Sequence, residues 1–298
     1  MRVTQMMLGS MLTSDLQSVQ SQMLQVQQQL SSGHQIIQPS DNPVGTENVL
    51  NWQSAIDQNT QYQSNAQNAT GWLQSTDSAL QSAIGLVQQV RTLAVSTSTG
   101  TLTTAEYQAI SEQVASLQAS LVTVGNTKVG DHYLFNGDQT ATAPFTQSGS
   151  TVTFAGGSGN QMREVSPGMS VQANIGGSVF NAAFTAMTNM LGYLSSPTTA
   201  DQVTQTVGGT PSALSQLDTA LNNLTNADGQ AGAQLQQAQH AQSLLTNLGQ
   251  SLQQLQAGTL DANLPQAVVS LQELQVSYQS ALAVGAQLIQ PTLAKYLP

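Results

Sequence analysis

The stretch LSSGHQIIQPSDNPVGTENVL (residues 30–50) separates two long, glutamine-rich helical patterns and decides how the rest of the chain is read. Ser31-Ser32-Gly33 supplies a helix stop, with Gly33 suited to the left-handed position just past a helix end. Pro39 and Pro43 each push the residue before them out of the helical region. Asn42 is a good N-cap, and Pro43 is pre-organised for a first helical turn. The segment therefore ends one helix, runs briefly extended and starts another. It is a hinge.

Upstream of it, Leu12, Leu16, Val19, Met23, Val26 and Leu30 recur at alternating steps of four and three, a heptad seam along one helix face. Downstream, one helix is predicted over 43–98, with Val49, Trp52, Ile56, Ala66, Leu73, Leu80, Ile84, Val87 and Ala94 on one phase. After a Ser/Thr/Gly break, Thr103 and Glu106 form a capping-box pattern. Ile110, Val114, Leu117, Leu121 and Val124 then continue the seam.

Between 131 and about 180 the pattern changes. YLFNGD (133–138) is strand-like and closes on Asn136-Gly137, a tight-turn pair. Val152 and Phe154 alternate before GGSGN (156–160), which reads as a hairpin turn, and short alternating segments follow at 162–165 and 169–175. Helix resumes near Phe180. A single long helix is expected from Leu214, with Leu217, Leu221, Leu224, Ala231, Leu235 and Ala238 on its seam. A phase shift near Ala241 is expected to bring Leu245, Leu248, Leu252 and Leu255 onto that face. A second hinge spans Leu260 to Pro265. The last helix carries Ala267, Leu271, Leu274, Tyr278, Ala281, Gly285 and Leu288 at heptad spacing.

The predicted fold is mainly α with a β-rich insertion: an elongated helical bundle and coiled coil whose N- and C-terminal helices pair, with a small central β module. Five parts are expected. Residues 1–41 form an N-terminal coiled-coil assembly segment and hinge, and 42–130 the first part of a bundle. An outward-facing β-rich module takes 131–199, the returning bundle 200–262 and a C-terminal assembly segment 263–298. The expected assembly residues are Leu12, Leu16, Val19, Met23, Val26 and Leu30 at one end, with Leu271, Leu274, Tyr278, Ala281, Gly285 and Leu288 at the other. The expected hinge residues are Gly33, Pro39, Asn42, Pro43 and Pro265. A narrow apolar stripe needs a partner helix, so both ends are expected to order on assembly, by pairing with each other and with further copies of the chain.

Composition limits the function. Only 7% of the 298 residues are charged, and five Lys and Arg against 15 Asp and Glu leave a formal net charge of −10. That is too few cations for a phosphate backbone, so nucleic acid is not an expected partner. There is no cysteine, hence no disulfide frame, zinc-thiolate site or thiol nucleophile. No apolar run is long enough to span a bilayer, and the N-terminal stretch, interrupted by Gly9, Ser10, Thr13 and Asp15, does not read as a cleavable signal. His34, His132 and His240 have no oriented third group for catalysis. GGSGN lacks the Gly-Lys-Ser/Thr of a phosphate loop, and Asp228-Gly229 lacks the ligand spacing of a calcium loop. No enzyme activity, metal or cofactor is expected. The scarcity of titratable groups predicts a helical content at pH 3 close to that at pH 7.

Five stretches carry a family resemblance: MRVTQ at the start, LSSG followed by PSDNPV (39–44), NTKVGDHYLFNGDQT (126–140), ADGQAGAQLQQ (227–237) and SYQSALAVGAQLIQPTLAKYL (277–297). Together they resemble the flagellin family, and within it the proteins of the hook–filament junction. Where relatives commonly have Asp this chain has Asn42, and His34 and Gln35 stand where relatives usually carry basic residues. The resemblance implies a structural adaptor exported by the flagellar type III apparatus without a cleavable signal, extracellular, with terminal heptads forming an inner coiled coil. It implies as partners other copies of the chain, the first hook-associated protein, flagellin, the export apparatus and an export chaperone. A flagellin filament subunit is the alternative within the family, and a cytoplasmic coiled-coil scaffold the alternative outside it.

Overall fold

The computed structural model describes residues 2–97, 102–195, 200–205 and 212–289. Its elements are α1 (Arg2–Ser32), α2 (Pro43–Ser96), α3 (Thr104–Gly125), six short strands, α4 (Asn181–Leu194), α5 (Ala213–Leu260) and α6 (Leu264–Ile289). The chain forms two compact units. One comprises residues 1–58 and 248–298, the other 59–247. The division falls inside α2 and α5 and not at the hinges, because the hinges are stitched to each other within the first unit.

Local chemistry sets the helix boundaries. Gly33 ends α1 with φ of 75°, a conformation that costs a residue with a Cβ about 1–2 kcal/mol. Asn42 caps α2, its Oδ1 accepting from the Gly45 N–H at 2.8 Å. Gly45 has to lack a side chain, since a Cβ there would lie 2.8 Å from Ile36 Cδ1 and closer still to Asn42. At Thr103 and Glu106 the reciprocal capping box forms. Asn263 caps α6 by accepting from the Gln266 N–H at 3.2 Å, with Pro265 in the first turn.

In the second unit α2 and α5 run antiparallel. Asn59 Nδ2 donates to the Leu245 carbonyl at 2.9 Å near one end, and Arg91 Nε reaches Asp218 Oδ1 at 2.6 Å near the other. Leu73, Leu80, Val87, Leu217 and Leu224 are fully buried between the helices. α5 continues through Asn226–Gly229 as one helix. The expected phase shift does not occur: Leu245 is buried, but Leu248 and Leu255 point out, and Gly249, Leu252 and Gln256 continue the covered face.

The β region is three separate antiparallel hairpins and not one sheet. They are β1 (Lys128–Val129) with β2 (His132–Tyr133), β3 (Phe145–Ser148) with β4 (Thr151–Phe154), and β5 (Met162–Ser166) with β6 (Met169–Gln172). A bulge at Val165 turns that side chain into a small core with Val171, Ala66, Leu73 and Ala238. GGSGN is not a hairpin turn. It is the β4–β5 connection, pinned where Gly157 N–H donates to Asn136 Oδ1 at 2.9 Å and Asn174 Nδ2 donates to the Gly159 carbonyl at 3.0 Å. A Cβ on Gly157 would lie 2.3 Å from Asp138 Oδ1, which is why this loop is glycine-rich.

All five phenylalanines of the chain meet in one place. Phe135 packs edge-on to Phe180 at 4.8 Å between ring centroids, and Phe145 lies 5.1 Å from Phe184 and 5.2 Å from Phe154. These rings belong to the same core as Ala183, Met187 and Met190 of α4 and Leu121 of α3. Residues 131–195 are therefore not an appendage: α4 and the β3–β4 hairpin complete the bundle core.

Candidate assembly interface

The two chain ends meet within the first unit. α1 packs on α6, and the expected seam residues are the ones that face inward. Leu12, Leu16, Val19, Met23, Val26 and Leu30 are each half-buried, and the α1 residues between Leu12 and Leu30 are exposed apart from Gln29. On α6, Leu271, Leu274, Tyr278 and Ala281 are half-buried while Ala267 and Gly285 are buried. Leu288 lies outside the residues whose side chains are described. Gly285 receives Leu12: a Cβ there would stand 2.7 Å from Leu12 Cδ2. A knob enters a hole made by an absent side chain.

The hinges bind one another. Gln35 N–H donates to the Leu260 carbonyl at 2.7 Å, Ala262 N–H to the Gly33 carbonyl at 2.8 Å, and Gln35 Nε2 to the Thr259 carbonyl at 2.6 Å. His34 and Asp261 form the bridge between these bonds. Pro39 sits in a tight turn closed by Asp41, whose Oδ2 accepts from the N–H groups of Ile37 and Gln38 at 3.2 and 2.9 Å. The proline-rich segment is thus a folded ribbon and not a loose tether.

With the seam used internally, a different set of apolar residues stays exposed. Val269 and Val276 lie seven residues apart on the α6 face opposite the seam, in line with the exposed Ala283, and Val268, Leu282 and Val284 flank them. On α1 the face away from the seam is amide and hydroxyl: Ser14, Gln17, Ser21, Gln25 and Gln28. Met7, Met11 and Leu24 interrupt that polar surface. The expected residue set did not include this second stripe, although the seven-residue spacing of Val269, Val276 and Ala283 was legible.

Among the described residues, no three His, Asp or Glu side chains gather as a metal cluster, and no helix is long and apolar enough to cross a membrane. One open groove of about 450 Å³ lies between α2 and α3, lined by Gln89, Thr92, Leu93, Gln113, Ser116 and Leu117.

Comparison with known proteins bears on most of the chain. The family model described as the bacterial flagellin N-terminal helical region matches residues 3–140. Flagellar hook-associated protein 3 of Escherichia coli K12 is 25% identical over 286 residues, 88% of this chain and 90% of the relative. The protein of the same name from Salmonella typhimurium LT2 is 23% identical over 94% of this chain and 96% of its own length. Residues 3–140 thus match the flagellin N-terminal helical region, and most of the chain is similar to two hook-associated proteins 3. Solved structures agree in fold. FlgL of Xanthomonas campestris superposes with a TM-score of 0.62 over 69% of this chain and 99% of its own, at 18% identity. The flagellar junction protein FlgL of Legionella pneumophila gives 0.57 over 73% of this chain and 100% of its own, at 15% identity.

Proposed function

We propose that this chain is the structural adaptor that joins the flagellar hook to the flagellin filament. The observation that carries the proposal is the likeness to two hook-associated proteins 3 over 88% and 94% of this chain. A flagellar component associates with other flagellar components. The specific partners we infer are further copies of this chain, the first hook-associated protein on one side and flagellin on the other. We infer export by the flagellar type III apparatus, with an export chaperone, and an extracellular position at the junction.

Within that role, the α1–α6 seam holds each subunit's two ends together as one rod. Copies then meet through the faces the seam leaves free, chiefly Val268, Val269, Val276, Leu282 and Val284 of α6. Burying each such valine or leucine stabilises by about 1.5–3 kcal/mol, so a ring of neighbours offsets the cost of ordering the ends. The hinge residues Gly33, Pro39, Asn42, Pro43 and Pro265 set the direction in which the rod leaves α2 and α5.

Immunogold labelling and quantitative mass spectrometry of purified hook–filament structures test the proposal. A small, fixed number of copies confined to the junction is expected. Copies spread along the filament in flagellin-like number would make the chain a filament subunit, and retention in the cytoplasm would make it a scaffold.

A further inference from the structure

Asn136-Gly137 is the one Asn-Gly pair in the chain. Such a pair is chemically fragile, because glycine has no Cβ to keep its backbone nitrogen away from the preceding carboxamide. The fold nevertheless dictates both residues. Gly137 has φ of 56°, and a Cβ on it would lie 2.5 Å from the Gly157 carbonyl oxygen. Asn136 is fully buried. Its Nδ2 donates to the Thr142 carbonyl at 2.7 Å and to the Gln139 carbonyl, while its Oδ1 accepts from the Gly157 N–H at 2.9 Å. Among side chains, only a carboxamide offers two N–H donors and a carbonyl acceptor on one carbon.

The reaction open to such a pair is deamidation. The Gly137 nitrogen attacks Asn136 Cγ and loses its proton, the Cγ–Nδ2 bond breaks, ammonia leaves and a cyclic imide remains. Water then opens either C–N bond of the imide, giving aspartate or isoaspartate at position 136. One water is consumed and one ammonia released, and nothing is oxidised or reduced. In the folded chain the carboxamide is held at both ends, by Thr142 and Gln139 at the nitrogen and by Gly157 at the oxygen, and it is shut away from solvent. Reaction there requires the turn to open first, so its rate follows the population of open states.

We propose that Asn136-Gly137 is a deamidation site of the unfolded chain, shielded by folding, and that its modification prevents the native core from closing fully. A carboxylate has no hydrogen to give. At this site it would face the Thr142 and Gln139 carbonyls acceptor to acceptor and would place a charge in a fully buried position. The damage reaches the core through the next residue, since Phe135 is fully buried and its ring packs 4.8 Å from that of Phe180. The chain thus carries its own limit on how long it can stay unfolded and still reach the native state.

The test is incubation of the full chain in mildly alkaline buffer, with and without denaturing guanidinium chloride, with the peptide containing Asn136 followed by mass spectrometry. Conversion is expected to be at least about tenfold slower in the folded chain. Gly137→Ala is expected to slow conversion in denaturant, where folding plays no part. Equal rates with and without denaturant overturn the shielding, and no conversion in denaturant overturns the site. The denatured sample is then returned to native buffer, and the fraction modified at position 136, more acidic by one carboxylate, is separated by anion exchange. That fraction is expected to melt below the unmodified one and to be cut faster by protease around residues 133–160, with Asn136→Asp behaving alike. Equal Tm and equal protection in the two fractions overturn the proposed consequence.

Discussion

His34 and Asp261 face each other across an antiparallel bridge, imidazole Nδ1 3.5 Å from carboxylate Oδ1, although one follows the first helix and the other precedes the last. The separation is too long for a hydrogen bond of consequence, and Nδ1 has no other partner. The flanking backbone bonds therefore hold the ribbon, and the side-chain pair only decorates it. His34→Ala is expected to leave the hinge intact, because exposed pairs contribute about 0–1 kcal/mol. Gly33→Ala is expected to cost about 1–2 kcal/mol by forcing a Cβ into the left-handed region. Amide exchange at Gln35 and Ala262 checks both: protection should survive the first substitution and fall in the second.

Leu12 and Gly285 give a direct handle on the terminal seam. Gly285→Leu should push the helices apart, at the cost of about 1–3 kcal/mol typical of overpacking, and Leu12→Ala in the same chain should recover part of it. A double-mutant cycle read by amide exchange in α1 and α6 measures the coupling. Additive effects would mean that the two residues do not meet in solution.

The termini should be the least protected part of the molecule. Their seam residues are half-buried, whereas Leu73, Leu80, Val87 and Leu217 of the bundle are fully buried. In dilute monomer, exchange in α1 and α6 is expected to be orders of magnitude faster than in the middle of α2 and α5, and to slow on assembly. Equal protection throughout would show the terminal rod to be already stable on its own.

Deleting residues 141–195 is expected to unfold the bundle, not merely trim it. The segment carries four of the five clustered phenylalanines and the whole of α4. Phe180→Ala alone should cost about 3–5 kcal/mol. Limited proteolysis and helical circular dichroism of the deletion settle it: a protease-resistant core of undiminished helicity would contradict the assignment of α4 to the bundle.

Acid should act locally and in opposite senses at two carboxyls. The Thr103 cap bonds hold Glu106 below the ordinary glutamate value. Its contribution is present above that value, about 4.3, and is lost as pH falls through the lowered folded one. Asp228 runs the other way: burial raises its carboxyl, so its contribution is present below the unfolded value, about 3.9, and is lost as pH rises through the raised folded one. Helical signal at pH 3 is expected close to that at pH 7, with loss of protection confined to the first turn of α3. A cooperative collapse of helicity between those values would refute this.

What the sequence determined by itself was everything that acts through a few neighbouring residues. Gly33 past α1, Asn42-Pro43 opening α2, the Thr103–Glu106 box and the heptad seams of α1 and α6 all appear where the residues place them, because caps, prolines and helical periodicity work over one or two turns. Tertiary structure decided the rest. Leu248 and Leu255 look like seam residues in a heptad count but face outward, since the covered face of α5 depends on where its partners lie. Strand β3, with Phe145 as its one apolar residue, carries no alternation of its own and exists through pairing with β4. The gathering of five phenylalanines from distant segments and the stitching of one hinge to the other are non-local. Burial depends on which chain segments arrive together, and no local pattern of residues encodes that.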